Sequence, residues 1–312
     1  MFNRVLVPLD GSILAERALA PALALGRHSG GEVILLRVPI PEKLLVFTSA
    51  GYGLLWPDEA VERSQNEAWD YLTSIHKANE QPTFKLRTEV NEGDVAGVIV
   101  DTALRDEVDM ISMSTHGHSG ITRWVLGSVT ERVLRSAPCP VLVIRSPQPL
   151  RQILIPLDGS ALAEHALAPG LELARSLGGE MTLLHAVEPP DAGETEHLEQ
   201  IERGLGRRLR EDFYKGVEAH LRDLAAAHQQ AGLNIRTVVK DGPAADSILE
   251  FAEAHGMDVI VMATHGRTGL RRWVYGSVTE KVLRGAACSL LVIRPPARKL
   301  LENLNRESRV IQ

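Results

Sequence analysis

Residues 114–133 read STHGHSGITRWVLGSVTERV, and residues 263–282 read ATHGRTGLRRWVYGSVTEKV. The two stretches lie 149 positions apart and share the spacing THG-x2-G-x6-GS. Each follows a short apolar run and leads into an amphipathic segment, so each reads as a loop that joins a strand to a helix. The match extends outward in both directions. NRVLVPLDGSILAERALAPALAL from Asn3 pairs with RQILIPLDGSALAEHALAPGLEL from Arg151, and SGGEVILLRV from Ser29 pairs with LGGEMTLLHA from Leu177. NEGDVAGVIVDTA from Asn91 pairs with KDGPAADSILEFA from Lys240, and PCPVLVIRSP from Pro138 pairs with ACSLLVIRPP from Ala287. A period this long is duplication of a whole domain; a solenoid repeats every 20–50 residues.

The expected domains are therefore residues 1–146 and 151–296, with a charged tail over 297–312. The two prolines of SPQPLR, residues 146–151, mark the seam. Within the first copy, apolar runs over 5–9, 33–38, 84–90, 110–113 and 141–144 alternate with helical patterns after Ser12 and over 59–79, 97–105 and 129–135. Strands that are apolar along their length, separated by helices, predict a parallel sheet covered on both faces, five strands per copy. SGG at Ser29 reads as a turn. The copies differ most after the second strand. PIPEKLLVFTSAGYGLLWPDEA in the first is apolar, and PPDAGETEHLEQIERGLGRRLRED in the second is strongly charged, which fits either loop drift or a contact surface that makes the halves unequal.

Composition narrows the function. The chain has 312 residues, 44% apolar and 24% charged, the proportions of an ordinary globular protein. Aromatic residues make up 4%, so the core is expected to be Val, Leu, Ile and Ala. A net charge of −6 gives no bulk attraction for DNA or RNA. No apolar run approaches a membrane span, and the opening MFNRVLVPLDGS breaks at Asp10, so the expected location is the cytoplasm. The two cysteines, Cys139 and Cys288, lack CxxC spacing and read as buried core residues.

In open α/β sheets, ligands sit beyond the carboxyl ends of the strands. Two segments of each copy fall there: Asp10-Gly11-Ser12 or Asp158-Gly159-Ser160, and the glycine loop. Gly117, Gly120 and Gly127 recur as Gly266, Gly269 and Gly276. Ser128-Val129-Thr130-Glu131 and Ser277-Val278-Thr279-Glu280 read as capping boxes, with serine at the N-cap. A helix N-terminus presents free N–H groups and a partial positive charge, a site for phosphate, and Arg123, Arg267, Arg271 and Arg272 add charge nearby. A capping box also stabilises a helix with no ligand at all. No GxxxxGK[ST] occurs and no GxGxxG follows a first strand, which excludes a P-loop and an ordinary dinucleotide fold. His116 and His265 lack a GxSxG partner and read as residues that order their loops.

With these residues in place, the chain resembles a tandem universal stress protein. The resemblance rests on Pro-x-Asp-Gly-Ser at the end of the first strand, the THG loop running into GS-V, and the PCPVLVI strand. It implies a Rossmann-like fold, a five-stranded parallel sheet in the order 3-2-1-4-5 with helices on both faces. The nucleotide-binding branch of the family carries G-x2-G-x9-G-[ST]; here the first glycine of that pattern is Ser114 in one copy and Ala263 in the other. The resemblance implies ATP as the ligand, with Mg²⁺. It sets Asp10 and Asp158 beside the ribose or phosphate and the backbone of Val38 and Ala186 against adenine, and counts Pro8 and Pro156 among the binding residues. Gly117, Gly127, Ser128 and Val129 would hold phosphates in the first copy, and Gly266, Gly276, Ser277 and Val278 in the second, with Gly120 and Gly269 also counted among the binding residues. It further implies a homodimer. The expected function is an ATP-binding module that serves a stress response. An interaction protein of the same fold with empty loops, and a slow ATPase, are the alternatives.

Overall fold

A computed structural model describes residues 2–41, 44–48, 51–55, 57–115, 126–188, 193, 201–202, 204–229, 233–264 and 276–294. The chain divides into two compact units, Met1–Ile144 and Arg145–Gln312. In unit 1 the sheet consists of β1 (Arg4–Pro8), β2 (Glu32–Arg37), β5 (Lys85–Val90), β6 (Met110–Ser114) and β7 (Val141–Ile144). Their order is β5-β2-β1-β6-β7, parallel throughout, which is 3-2-1-4-5 when these five are counted along the chain. Unit 2 repeats it with β8 (Gln152–Pro156), β9 (Glu180–Val187), β10 (Ile235–Asp241), β11 (Val259–Ala263) and β12 (Ser289–Ile293), ordered β10-β9-β8-β11-β12. The fold is α/β, with helices on both faces of a parallel sheet. The central strands Val5–Val7 and Val33–Leu36 are buried without interruption, as strands covered on both faces must be.

The pattern after Ser12 predicts one helix, and the structure forms two, α1 (Ile13–Glu16) and α2 (Leu19–Ser29). Pro21 is the reason. It has no N–H to reach the carbonyl of Arg17, so the helix restarts with the proline in its first turn. Pro169 separates α6 (Ala161–Glu164) from α7 (Leu167–Leu177) in the same way. The SGG segment is a turn: Gly30 closes α2 at φ 65°, and Gly31 lies so close to the Asn3 carbonyl that a Cβ would sit 1.9 Å from its oxygen.

Between β2 and the helix α3 (Asp58–Asn79), unit 1 carries a feature that the five-strand expectation omits. Strands β3 (Leu44–Thr48) and β4 (Gly51–Leu55) pair antiparallel as a separate hairpin. The signal was legible as two short runs separated by two small residues, Ser49 and Ala50. Unit 2 instead reaches its long helix α8 (Leu205–His228) through Gly204, at φ 78°. Further helices among the described residues are α4 (Val95–Arg105) and α5 (Ser128–Ser136) in unit 1, and α9 (Ala244–Ala254) and α10 (Ser277–Gly285) in unit 2. Among the described residues no helix is long and apolar enough to cross a membrane. The tail over 297–312 lies outside the described residues.

Cys139 is buried as expected, but Cys288 is only partly so. Burial pushes the Cys139 thiol up to about 12 and the Cys288 thiol up to about 11, which leaves both protonated near neutral pH.

One carboxylate anchors the start of the first strand in each unit. Asp109 Oδ2 accepts the N–H groups of Asn3 and Arg4, both at 2.9 Å. Asp258 Oδ2 accepts those of Arg151 at 2.9 Å and Gln152 at 2.8 Å. Replacing Asp109 by Ala removes the one acceptor that both N–H groups share. It is expected to lower stability by about 1 kcal/mol, read as a reduced midpoint in urea with an unchanged slope.

Candidate functional site

Two corners build the site in each unit. The first is the Asp-Gly-Ser turn. Beyond β1, Leu9 N–H bonds to Leu36 O at 2.8 Å, which holds the chain over the sheet. Asp10 Oδ1 then accepts the Ser12 amide at 2.9 Å and its hydroxyl at 2.6 Å. Ser12 Oγ in turn accepts Ala15 N–H at 3.1 Å and caps α1. Gly11 has φ 86°, the left-handed conformation that lets the chain reverse so tightly. Unit 2 repeats this with Asp158 on the Ser160 amide at 2.9 Å, Ser160 on Ala163 N–H at 3.1 Å, and Gly159 at φ 78°. The motif is therefore a strand-to-helix corner that also brings a carboxylate to the rim of a cavity.

The second corner joins β6 to α5. Thr115 N–H bonds to Ile144 O at 3.2 Å, and Gly127 N–H returns to Thr115 O at 3.0 Å. The helix then begins, and here the capping-box expectation fails. The N-cap is Gly127, at φ −59° and ψ 146°, with no side-chain cap. Its carbonyl accepts Glu131 N–H at 2.9 Å, so Ser128 is the first helical residue. Thr130, third in the helix, donates its hydroxyl to Ser114 O at 3.0 Å. Glu131 pairs with Arg135 at 2.5 Å and does not reach back. In unit 2 the cap is Gly276, at φ −58° and ψ 149°, again without a side chain. In unit 1 the bond from Gly127 to Thr115 explains the shift: a residue tied to the end of the strand sits where the serine would have to stand. Each helix consequently starts with amides, Ser128 to Thr130 and Ser277 to Thr279, that have no acceptor within the helix and no side-chain cap.

The two corners enclose a cavity of about 460 Å³ in unit 1. Of the residues singled out from the sequence, Pro8, Asp10, Val38, Gly127, Ser128 and Val129 all line it. A cavity of about 220 Å³ in unit 2 gathers their counterparts Pro156, Asp158, Ala186, Gly276, Ser277 and Val278. Leu162 stands in the wall of the smaller cavity, whereas its counterpart Leu14 does not line the larger one. Gly117, Gly120, Gly266 and Gly269 lie outside the described residues, as do His116, His265 and the four loop arginines. Ser114 and Ala263, at the positions of the first patterned glycine, end their strands in the cavity walls.

Sequence reasoning missed three contributors. Val95 and Ile99 of α4 form the apolar wall opposite the strands, with Ala244 and Ile248 of α9 in unit 2. Arg37, at the end of β2, brings a guanidinium to the larger cavity. The helical pair at four-residue spacing was readable as an apolar face, but nothing local says which cavity it walls.

The two cap glycines have different reasons to be glycine. A Cβ on Gly127 would lie 2.4 Å from Thr115 O, a backbone atom that cannot swing aside. A Cβ on Gly276 would meet no atom within 4 Å. Gly127→Ala is therefore expected to destabilise unit 1 by about 1–3 kcal/mol. Gly276→Ala is expected to leave unit 2 within about 0.5 kcal/mol of its unaltered stability. Urea unfolding of the two variants side by side checks the contrast.

Comparison with known proteins gives the same division of the chain. The model of the universal stress protein family matches twice, over residues 1–145 and 149–294. Universal stress protein MJ0531 of Methanocaldococcus jannaschii is 32% identical over 148 residues, 47% of this chain and 85% of the relative. Universal stress protein Rv2005c of Mycobacterium tuberculosis is 30% identical over 203 residues, 61% of this chain and 63% of that relative's length. A universal stress protein of Archaeoglobus fulgidus has the same fold over 94% of this chain and 99% of its own, with a TM-score of 0.67 at 20% identity. Two matches of one family model along a duplicated α/β sequence settle its kinship: the chain belongs to the universal stress protein family.

Proposed function

We propose that the units are binding modules for an adenine nucleotide, with ATP as the ligand, and that occupancy regulates the protein in a stress response. The observation that carries this reading is the glycine-capped start of α5, whose first amides open into the 460 Å³ cavity of unit 1. That volume lies within the range of about 300–1,000 Å³ usual for small-molecule sites. The chemistry of the donors fits a phosphate. Amides at a helix N-terminus with neither a side-chain cap nor an intrahelical acceptor, reinforced by the helix dipole, suit an anion.

In this reading the amides of Ser128 and Val129 bind the phosphates, and those of Ser277 and Val278 do the same in unit 2. The main chain at Val38 and Ala186 recognises the base. Asp10 and Asp158 face the ribose side, each with one oxygen already committed to its turn. Among the described residues no group of three His, Cys, Asp or Glu could hold a metal, so Mg²⁺ would enter on the phosphates with its own waters. The same reading places the protein in the cytoplasm as a homodimer, whose mass with and without ATP is measurable by sedimentation.

A substitution at the first helical residue isolates the amide. Ser128→Pro removes one N–H, yet proline suits this position and the extended Gly127 before it. The variant is expected to keep its unfolding midpoint and to bind ATP about 10- to 100-fold more weakly at unit 1, the loss of one hydrogen bond to a charged group. Ser277→Pro is expected to act alike on unit 2. Isothermal titration of the full chain measures both, and unchanged affinity in the two variants would remove the phosphate assignment.

A further inference from the structure

Strand β2 delivers a cation to the cavity of unit 1, beside the main chain assigned to the base. The strand ends at Arg37, and its last two carbonyls are both pinned. Leu36 O accepts Leu9 N–H at 2.8 Å, and Arg37 O accepts Asn91 N–H at 3.2 Å. Arg37, Val38, Pro39 and Ile40 then line the cavity in succession. Arg37 therefore enters the wall one residue before Val38.

The side chain is held in place. Its guanidinium lies over Gly11, with Nη1 2.5 Å and Nη2 3.1 Å from where a Cβ would be, so only a glycine leaves room for it. Its Cζ lies 4.8 Å from the centre of the Tyr71 ring, a cation–π contact. The Tyr71 hydroxyl donates to Glu16 Oε1 at 2.9 Å, which fixes the ring. Burial, helped by Glu16, raises the Tyr71 pKa above its ordinary value, so the ring stays neutral. Neither a ring face nor a glycine is a strong acceptor. Among the described residues the guanidinium has no carboxylate within ion-pair distance and no hydrogen-bond acceptor. A half-buried group with five N–H donors is thus left without an anion.

Asp10 stands at the same corner, since the guanidinium covers the glycine that follows it. Asp10 also lines the cavity, and its Oδ1 is committed to the Ser12 amide and hydroxyl. The two side chains ask for opposite partners. A carboxylate accepts a ribose hydroxyl and repels a phosphate, whereas a guanidinium beside a ribose accommodates a phosphate on it. A ribose with one free hydroxyl and one phosphate monoester satisfies both. A 5′-phosphate has donors of its own at the other corner, in the first amides of α5.

We propose that unit 1 selects an adenine nucleotide phosphorylated on its ribose: Arg37 takes a 2′- or 3′-phosphate, Asp10 the hydroxyl left free, and the first amides of α5 the 5′-phosphate. The inference rests on the nucleotide reading above and narrows the ligand of the first site. The planar fork of an arginine meets two phosphate oxygens at once, whereas a lysine offers a point charge. Because Gly11, Tyr71 and Glu16 hold the fork before any ligand arrives, little order remains to be imposed on binding.

The test compares isomers. 5′-ADP, adenosine 2′,5′-bisphosphate and adenosine 3′,5′-bisphosphate contain the same atoms and differ in where the second phosphate is attached. Isothermal titration of each into the full chain is expected to show a site that binds one of the bisphosphates at least about tenfold more tightly than 5′-ADP, the gain of a charge-assisted contact. The isomer that does so identifies the hydroxyl. Arg37→Gln is expected to bring all three within about threefold of one another at that site, with 5′-ADP itself bound as before. Arg37→Lys, which keeps the charge and loses the fork, is expected to retain part of the preference. Should either variant fail to fold, the isomers on the unaltered chain decide alone. Binding of 5′-ADP as tight as that of both bisphosphates, or tighter, would overturn the inference and leave the nucleotide reading standing. A preference that survives Arg37→Gln would overturn it too. No binding of the three isomers or of ATP would remove the nucleotide reading and this inference together.

Discussion

The hydrogen bond from Gly127 N–H to Thr115 O is the constraint on which the site of unit 1 depends. It ties the residue before a helix to the end of a strand, so the helix must begin beside the strand's carboxyl end. It brings two main chains too close for any side chain at residue 127. The helix then starts without a side-chain cap, and amides left without acceptors inside the helix face a cavity. A serine cap would have stabilised α5 and spent the same donors on the protein itself. The structure leaves them uncapped at the wall of the cavity.

Facing that helix is a turn that serves two purposes. Asp10 and Asp158 organise their corners through the following serine, and the same carboxylates reach the cavity rim. Their charge must be balanced whenever a phosphate approaches. Unit 1 brings the Arg37 guanidinium to the same cavity, and the sequence of unit 2 has His185 at the equivalent position. Duplication conserved the sheet order and both corners and let the charge around them change. The sheet demands an uninterrupted apolar interior, whereas the rim demands only that charge be managed somehow.

The fold was legible in the sequence because its signals are periodic and doubled. Continuous apolar strands alternating with helical patterns imply a parallel sheet, and two copies in register remove most ambiguity about where elements begin. What failed was local. Pro21 and Pro169 divide a segment whose apolar spacing runs on unbroken. The β3–β4 hairpin was passed over because its runs fall in a stretch where the two copies do not align, so the repeat lent no support. Ser128 satisfies every local rule for an N-cap, yet a bond made across the loop places Gly127 there instead.

Sequence alone determined the duplication, the α/β class, the strand order implied by the family resemblance, and twelve residues that gather at the two cavities. The duplication and the class follow from hydrophobic period and turn chemistry, which act over a few neighbouring residues; the strand order and several of the site residues came with the family resemblance. Only tertiary structure decided which amides stay uncapped, that Gly127 and Gly276 are glycine under different constraints, and that Arg37 stands over Tyr71, whose hydroxyl bonds to Glu16. These depend on distances between residues far apart in the chain, and a sheet that brings strand ends and helix starts together is what sets them.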